Sequence, residues 1–121
     1  MAEHNLFGVR GEAIAARYLL EKGFIIHECN WRSGHKEIDI VAQEDDVLVF
    51  VEVKTRRNDT YGDASDAVTP MKMRRLIFAA ESYIKMKELD MDVRFDIITV
   101  VGCGDECSVE HIREAFYPGI S

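Results

Sequence analysis

Glu37-Ile38-Asp39-Ile40-Val41-Ala42 and, after a short acidic gap at Glu44-Asp45-Asp46, Val47-Leu48-Val49-Phe50-Val51-Glu52-Val53-Lys54 decide how this chain folds. Both runs are rich in β-branched residues and read as adjacent strands. On a strand, residues two apart face the same way. Val47, Val49, Val51 and Val53 therefore make one apolar face, while Leu48, Phe50, Glu52 and Lys54 make a face that begins apolar and ends charged. On the preceding strand Glu37, Asp39 and Val41 share a face opposite Ile38, Ile40 and Ala42. Charged groups are seldom buried unless they are paired or bind a metal. Asp39, Glu52 and Lys54 stand where core residues are expected, which points to a site.

Whether they meet depends on the hairpin. A four-residue loop over 44–47 puts Asp39 directly opposite Glu52, and a two-residue loop moves it one pair along the same face. An odd loop separates the two carboxylates. With an even loop, Asp39 and Glu52 can jointly bind a hard divalent cation such as Mg²⁺ through carboxylate oxygens. Such an ion binds a scissile phosphate, acidifies an attacking water and neutralises developing charge. Lys54 can orient or deprotonate that water. Glu12 shares a helical stripe with Ala16 and Leu19 and completes the cluster if that helix crosses the sheet.

Outward from these strands, residues 5–22 read as a helix stopped by Gly23, although Gly8 and Gly11 favour a true start near Arg10. Phe24 to Trp31 is a first strand, turning at Ser33-Gly34 into the second, 36–43; the third is 47–54. Residues 55–68 are polar and aperiodic, a long and mobile loop of the kind that carries function. Thr69-Pro70 opens a second helix as N-cap and N1. Met73, Leu76, Ile77, Ala80, Tyr83 and Ile84 give that helix an apolar face. Val93 to Val101 is a fourth strand, and the type of a last element at 109–117 is left open. Helix, three strands, helix and strand imply an α/β or α+β layer around a mixed sheet.

The 121 residues fit a single domain, 1–121, with 47% hydrophobic and 31% charged residues, as in a soluble globular protein. No apolar run approaches the roughly 18 residues that span a membrane. The N-terminal residues lack a signal-peptide pattern, and three cysteines fit free thiols, so a cytoplasmic location is expected. The net charge of −7 speaks against a strongly basic nucleic-acid binder, but it is unevenly spread. Residues 88–121 hold two basic and eight acidic side chains, whereas Lys54 to Arg75 hold six basic against three acidic. Arg56, Arg57, Lys72 and Arg75 are accordingly the candidate phosphate contacts, although each alone is simplest as a solvated charge. Trp31 reads as packing rather than base stacking. Cys103, Cys107 and His111 have zinc-like spacing but lack a fourth ligand.

Asp39 followed thirteen residues later by Glu52-Val53-Lys54 resembles the PD-(D/E)-x-K nuclease signature. The surrounding residues are Gly11-Glu12, Tyr18-Leu19, Gly23, Asn30-Trp31-Arg32, Glu37-Ile38-Asp39, Ala67-Val68, Lys72, Arg75 and Arg94-Phe95-Asp96. In that order they resemble the YraN-like bacterial family of predicted endonucleases, itself similar to archaeal Holliday-junction resolvases, over about residues 7–117. Two departures stand out: Ile38 replaces the proline, and Gly34 is displaced from its usual place directly before Glu-Ile-Asp. The resemblance implies a restriction-endonuclease-like core, a mixed central sheet flanked by helices. It also implies Glu12, Asp39, Glu52 and Lys54 as active-site residues, Mg²⁺ or Mn²⁺ as cofactor, and DNA, in branched or structured form, as substrate. Cleaving a junction needs two active sites, so a homodimer is a conditional expectation. The rival readings are a non-catalytic nucleic-acid-binding module that keeps the nuclease fold, and an interaction protein whose acidic C-terminal third binds a basic partner.

Overall fold

The two decisive runs form neighbouring strands, and the rest of the chain is arranged around them. A computed structural model of the chain describes residues 3–56, 69–103 and 106–116; of residues 3–9, 103 and 106 it describes only the backbone course. Helix α1 (Glu3–Glu21) leads into β1 (Ile25–Ser33), β2 (Lys36–Glu44) and β3 (Val47–Arg56). Helix α2 (Pro70–Lys87) then carries the chain to β4 (Asp92–Cys103) and β5 (Glu106–Phe116). The sheet order is β1-β2-β3-β4-β5, antiparallel except where β4 runs parallel to β3. That parallel pair needs a crossover, and α2 lies within it. The last element is thus a strand. The expected loop over 55–68 lies, from residue 57 on, outside the described residues.

The result is an α/β fold, consistent with a restriction-endonuclease-like core: a mixed sheet with a helix on each face. On one face Ala15 and Leu19 of α1 pack with Phe24, Ile40, Val49, Val51, Ile98 and Val100. On the other, Leu76, Ala79, Ala80 and Tyr83 of α2 pack with Val41, Leu48, Phe50, Phe95 and Ile97. Burying each of these aliphatic and aromatic side chains contributes about 1.5–3 kcal/mol. Both helix ends follow from local chemistry. Gly23, at φ +94°, ends α1, and the Phe24 N–H returns to the Leu19 carbonyl at 3.0 Å. Thr69 caps α2 by accepting the Lys72 N–H at 3.2 Å, with Pro70 next.

Helix α1 runs through Gly11 rather than starting at Arg10, because the helix touches the sheet there. A Cβ on Gly11 would lie 2.1 Å from Cγ2 of Thr55 and 3.4 Å from its Cβ. Gly11, Ala15 and Leu19 form the inward stripe. Glu12 and Ala16 therefore ride on its flank and do not point straight into the core.

A polar cluster ties β4, β5 and the β2–β3 hairpin together. Asp96 is fully buried and accepts hydrogen bonds from Arg94 Nε (2.9 Å) and Nη2 (3.0 Å), His111 Nε2 (2.7 Å) and the Glu114 N–H (3.1 Å). Burial pushes its proton affinity up, but His111, Arg94 and the Glu114 amide outweigh that and hold the carboxyl below its usual range. On the other side of the ring, Nδ1 of His111 and the Tyr18 hydroxyl share a hydrogen bond at 3.1 Å, which fastens α1 to β5. Glu44 takes Arg94 at 2.8 Å and Arg113 at 2.6 Å.

Two stability measurements test this framework. Gly11→Ala should lower the denaturation midpoint, overpacking costing roughly 1–3 kcal/mol against about 1 kcal/mol regained in helix propensity. Adding Thr55→Ser, which deletes the clashing methyl, should restore it. Asp96→Ala should cost about 3–5 kcal/mol, since it breaks a buried ion pair and leaves His111, the Glu114 N–H and Arg94 Nε without their acceptor, and urea unfolding would expose a smaller loss.

Candidate functional site

Strands β2 and β3 are joined at Asp45-Asp46, with Glu44 paired to Val47, and the ladder runs through Val41–Phe50 to Ile40–Val51. One further step along this register sets Asp39 opposite Glu52. The turn has two residues, yet it does not displace the pair as expected. Two- and four-residue loops centred between 45 and 46 share one register, so only parity and centre matter.

The ladder changes character at Asp39. Its Oδ2 accepts the Val53 N–H at 2.9 Å, a side-chain bond continuing where the backbone pairs stop. Across β1, Asn30 and Asp39 are the residues skipped between the pairs Cys29–Ile40 and Trp31–Ile38. Asn30 has φ +55°, a left-handed conformation that asparagine tolerates. Ile38 packs in the α2-side core with Val41, while Ile40 packs on the α1 side. This corrects the expected alternation, which placed Ile38 with Ile40: the strand slips phase at Asp39. Irregularities of this kind re-aim side chains and gather at functional sites. No residue spacing announced it; Asn30 in mid-strand was the one available signal.

Among the described residues, the charges around the pair offset its burial only in part. Burial, reinforced by the charge of Asp39, pushes Glu52 up to about 7, against the lowering effect of Lys72 and Lys54. Burial also raises Asp39, with Glu37 adding to it, while the Val53 amide and Lys72 work the other way. Burial lowers Lys54, and so do the charge of Lys72 and a hydrogen bond between the two amines. Glu12 is half-buried and is raised by burial and then by Asp39 and Glu37, with Arg32 opposing. The structure thus brings Asp39, Glu52, Lys54 and Lys72 together, with Glu12 reaching Asp39 from the α1 side.

Lys72 is therefore part of the cluster and not merely a neighbouring cation. With Lys36, Glu37, Glu52, Arg75 and Phe78 it lines an open groove of about 870 Å³ between the β1–β2 turn and α2. The turn is made by Gly34 at φ +62° and His35, which bring Lys36 back to pair with Ser33. Arg56 is placed differently: it is held 3.7 Å from Glu110 of β5, with its side chain 18% exposed, which leaves little of it for a phosphate. Arg57 lies outside the described residues. Trp31 packs edge-on against Tyr83, as expected of a packing residue.

Among the described residues no group of three or more His, Cys, Asp or Glu is arranged to hold a metal ion. Mg²⁺ asks less than that: it keeps several waters and is commonly held by one or two carboxylates. Asp39 and Glu52, adjacent, partly buried and repelling each other, fit that requirement. The zinc-like spacing does not: Cys107 pairs with Gly102 and His111 with Ile98. They stand four residue steps apart along the strand, about 13 Å, and His111 is already bound on both ring nitrogens.

A carboxyl with a raised folded-state pKa is easiest to bury protonated. Without divalent cations, stability should therefore fall as pH rises from 4.5, the ordinary value for Glu52, through about 7. Melting curves in chelator should show that slope, Glu52→Gln should remove most of it, and saturating Mg²⁺ should flatten or reverse it. An unchanged slope in the variant would mean that the strain lies elsewhere.

Residues 11–100 match the profile described as "Uncharacterised protein family UPF0102", a span that holds Glu12, Asp39, Glu52 and Lys54. A UPF0102 protein of Phocaeicola vulgatus is 51% identical over 120 residues, 99% of both chains. One from Bacteroides fragilis is 52% identical over 118 residues, 98% of each chain. One from Flavobacterium psychrophilum is 44% identical over 117 residues, 97% of this chain and 98% of that one. On these similarities, the chain belongs to the UPF0102 family.

Proposed function

We propose that the protein is a metal-dependent endonuclease that hydrolyses DNA phosphodiester bonds, with branched or structured DNA as its substrate. The observation that carries this reading is the pair of partly buried carboxylates, Asp39 and Glu52, one register step beyond the last ladder pair and flanked by two lysines. Two carboxylates held together with raised proton affinity are the kind of arrangement that functional sites maintain. The resemblance to the YraN-like family and its PD-(D/E)-x-K pattern supports the same conclusion.

Asp39, through the oxygen not engaged by Val53, and Glu52 would hold a Mg²⁺ or Mn²⁺ ion. When bound, the ion supplies charge neutralisation and a more acidic water. Lys54, two residues beyond Glu52, would take the proton of the attacking water or stabilise charge on the phosphate. Lys72 and Arg75, at the start of α2, would hold non-bridging phosphate oxygens and fix the strand for in-line attack. Glu12 would orient the cluster from the α1 side through Asp39.

Branched, flap and single-stranded DNA incubated with Mg²⁺ or Mn²⁺ should be cut, and chelator should stop it. Lys54→Ala should lower the rate by about 10²-fold or more with unchanged circular dichroism. Full activity in that variant would refute the mechanism, and normal DNA binding with no cleavage of any substrate would favour the binding-module reading.

A further inference from the structure

Phe78 is the aromatic among the three large apolar side chains of α2, with Met71 and Met86, that stand exposed. The core-facing stripe of the helix runs through Leu76, Ala79, Ala80 and Tyr83, and Phe78 falls off it with 60% of its surface exposed. Its surroundings set it apart from an ordinary exposed apolar residue. It lines the same groove as Glu52, Lys72 and Arg75. Lys36, from the opposite wall, places its ammonium 4.9 Å from the centre of the ring.

We infer that Phe78 is a stacking platform for an unpaired base of the DNA strand that reaches Glu52, so that the site selects DNA with unpaired nucleotides beside the bond to be cut. This rests on the nuclease reading and adds to it the substrate class. The groove offers ligands of three kinds to one occupant. The carboxylate end would hold the cation that meets the scissile phosphate, the basic residues of α2 would take backbone oxygens, and the aromatic ring would take a planar face. A nucleotide chain carries phosphate and planar base in alternation, and an acidic peptide carries no such alternation. The ammonium of Lys36 sits beside the ring, where it can meet the phosphate of the base that stacks there. In a duplex the base faces are covered by their own neighbours, whereas in a single strand, a flap or a branch point they are open. Met71 and Met86 are also exposed on α2. A contact between two copies through this helix is the competing use of Phe78, and the same experiment decides it.

The test is binding in chelator at low salt, where no strand is cut. A single-stranded oligonucleotide carrying 2-aminopurine is compared with a blunt duplex of the same sequence, using the wild-type chain, Phe78→Ala and Phe78→Trp. Phe78→Ala should weaken single-strand binding on the order of tenfold and abolish the fluorescence quenching that reports stacking. Its duplex affinity should be unchanged, and Phe78→Trp should retain or strengthen single-strand binding. Equal losses on both ligands, or none on either, would overturn the inference while leaving the nuclease reading intact. A wild-type chain that binds neither ligand would overturn both readings. If sedimentation shows that Phe78→Ala dissociates a dimer and discrimination is unaltered, the ring is a contact between copies and the inference fails.

Discussion

The register of the β2–β3 hairpin is the constraint on which the rest depends. A turn centred between residues 45 and 46 sets every later pairing, including the step that faces Asp39 toward Glu52. The apolar residues enforce it. Val49 and Val51 must meet the α1 side while Leu48 and Phe50 meet the α2 side, and a slip of one residue would exchange the two sets. Thus the hydrophobic effect, which has no directional preference of its own, places two carboxylates on one line. The energy that fixes the site comes from residues that take no part in its chemistry.

The fold buries carboxylates in two ways, and the contrast separates support from function. Asp96 receives four hydrogen bonds, two of them from one guanidinium, and its proton affinity is lowered. Among the described residues Asp39 receives one amide hydrogen bond, and both it and Glu52 are raised. The first arrangement is complete, and it holds β4, β5 and α1 at fixed distances. The second has attraction to spare for a cation. The difference lies in the partners, since both environments are drier than water.

Much of this was legible in the sequence, for identifiable reasons. Period-two valines located β3, Thr69-Pro70 and Gly23 marked helix ends, and parity brought Asp39, Glu52 and Lys54 to one face. What escaped the sequence depends on contacts distant along the chain. The phase slip at Asp39 needs β1, with Asn30 left-handed opposite it. The role of Arg56 needs Glu110 on β5. Lys72 was noted as a basic residue, but only the crossover of α2 brings its amine to Lys54. The exposure of Phe78 follows from helical period, yet its value depends on Lys36 arriving from another turn.

Gly11 precedes Glu12, and this adjacency gives the α1–β3 contact a second meaning. The place where α1 has no room for a side chain against Thr55 is one residue from the carboxylate that feels the charge of Asp39. The missing side chain therefore works as a gauge: the thickness of whatever occupies position 11 sets how far Glu12 stands from the sheet. Positions 11 and 55 would then be inherited as a matched pair, a bulkier residue at one calling for a smaller residue at the other.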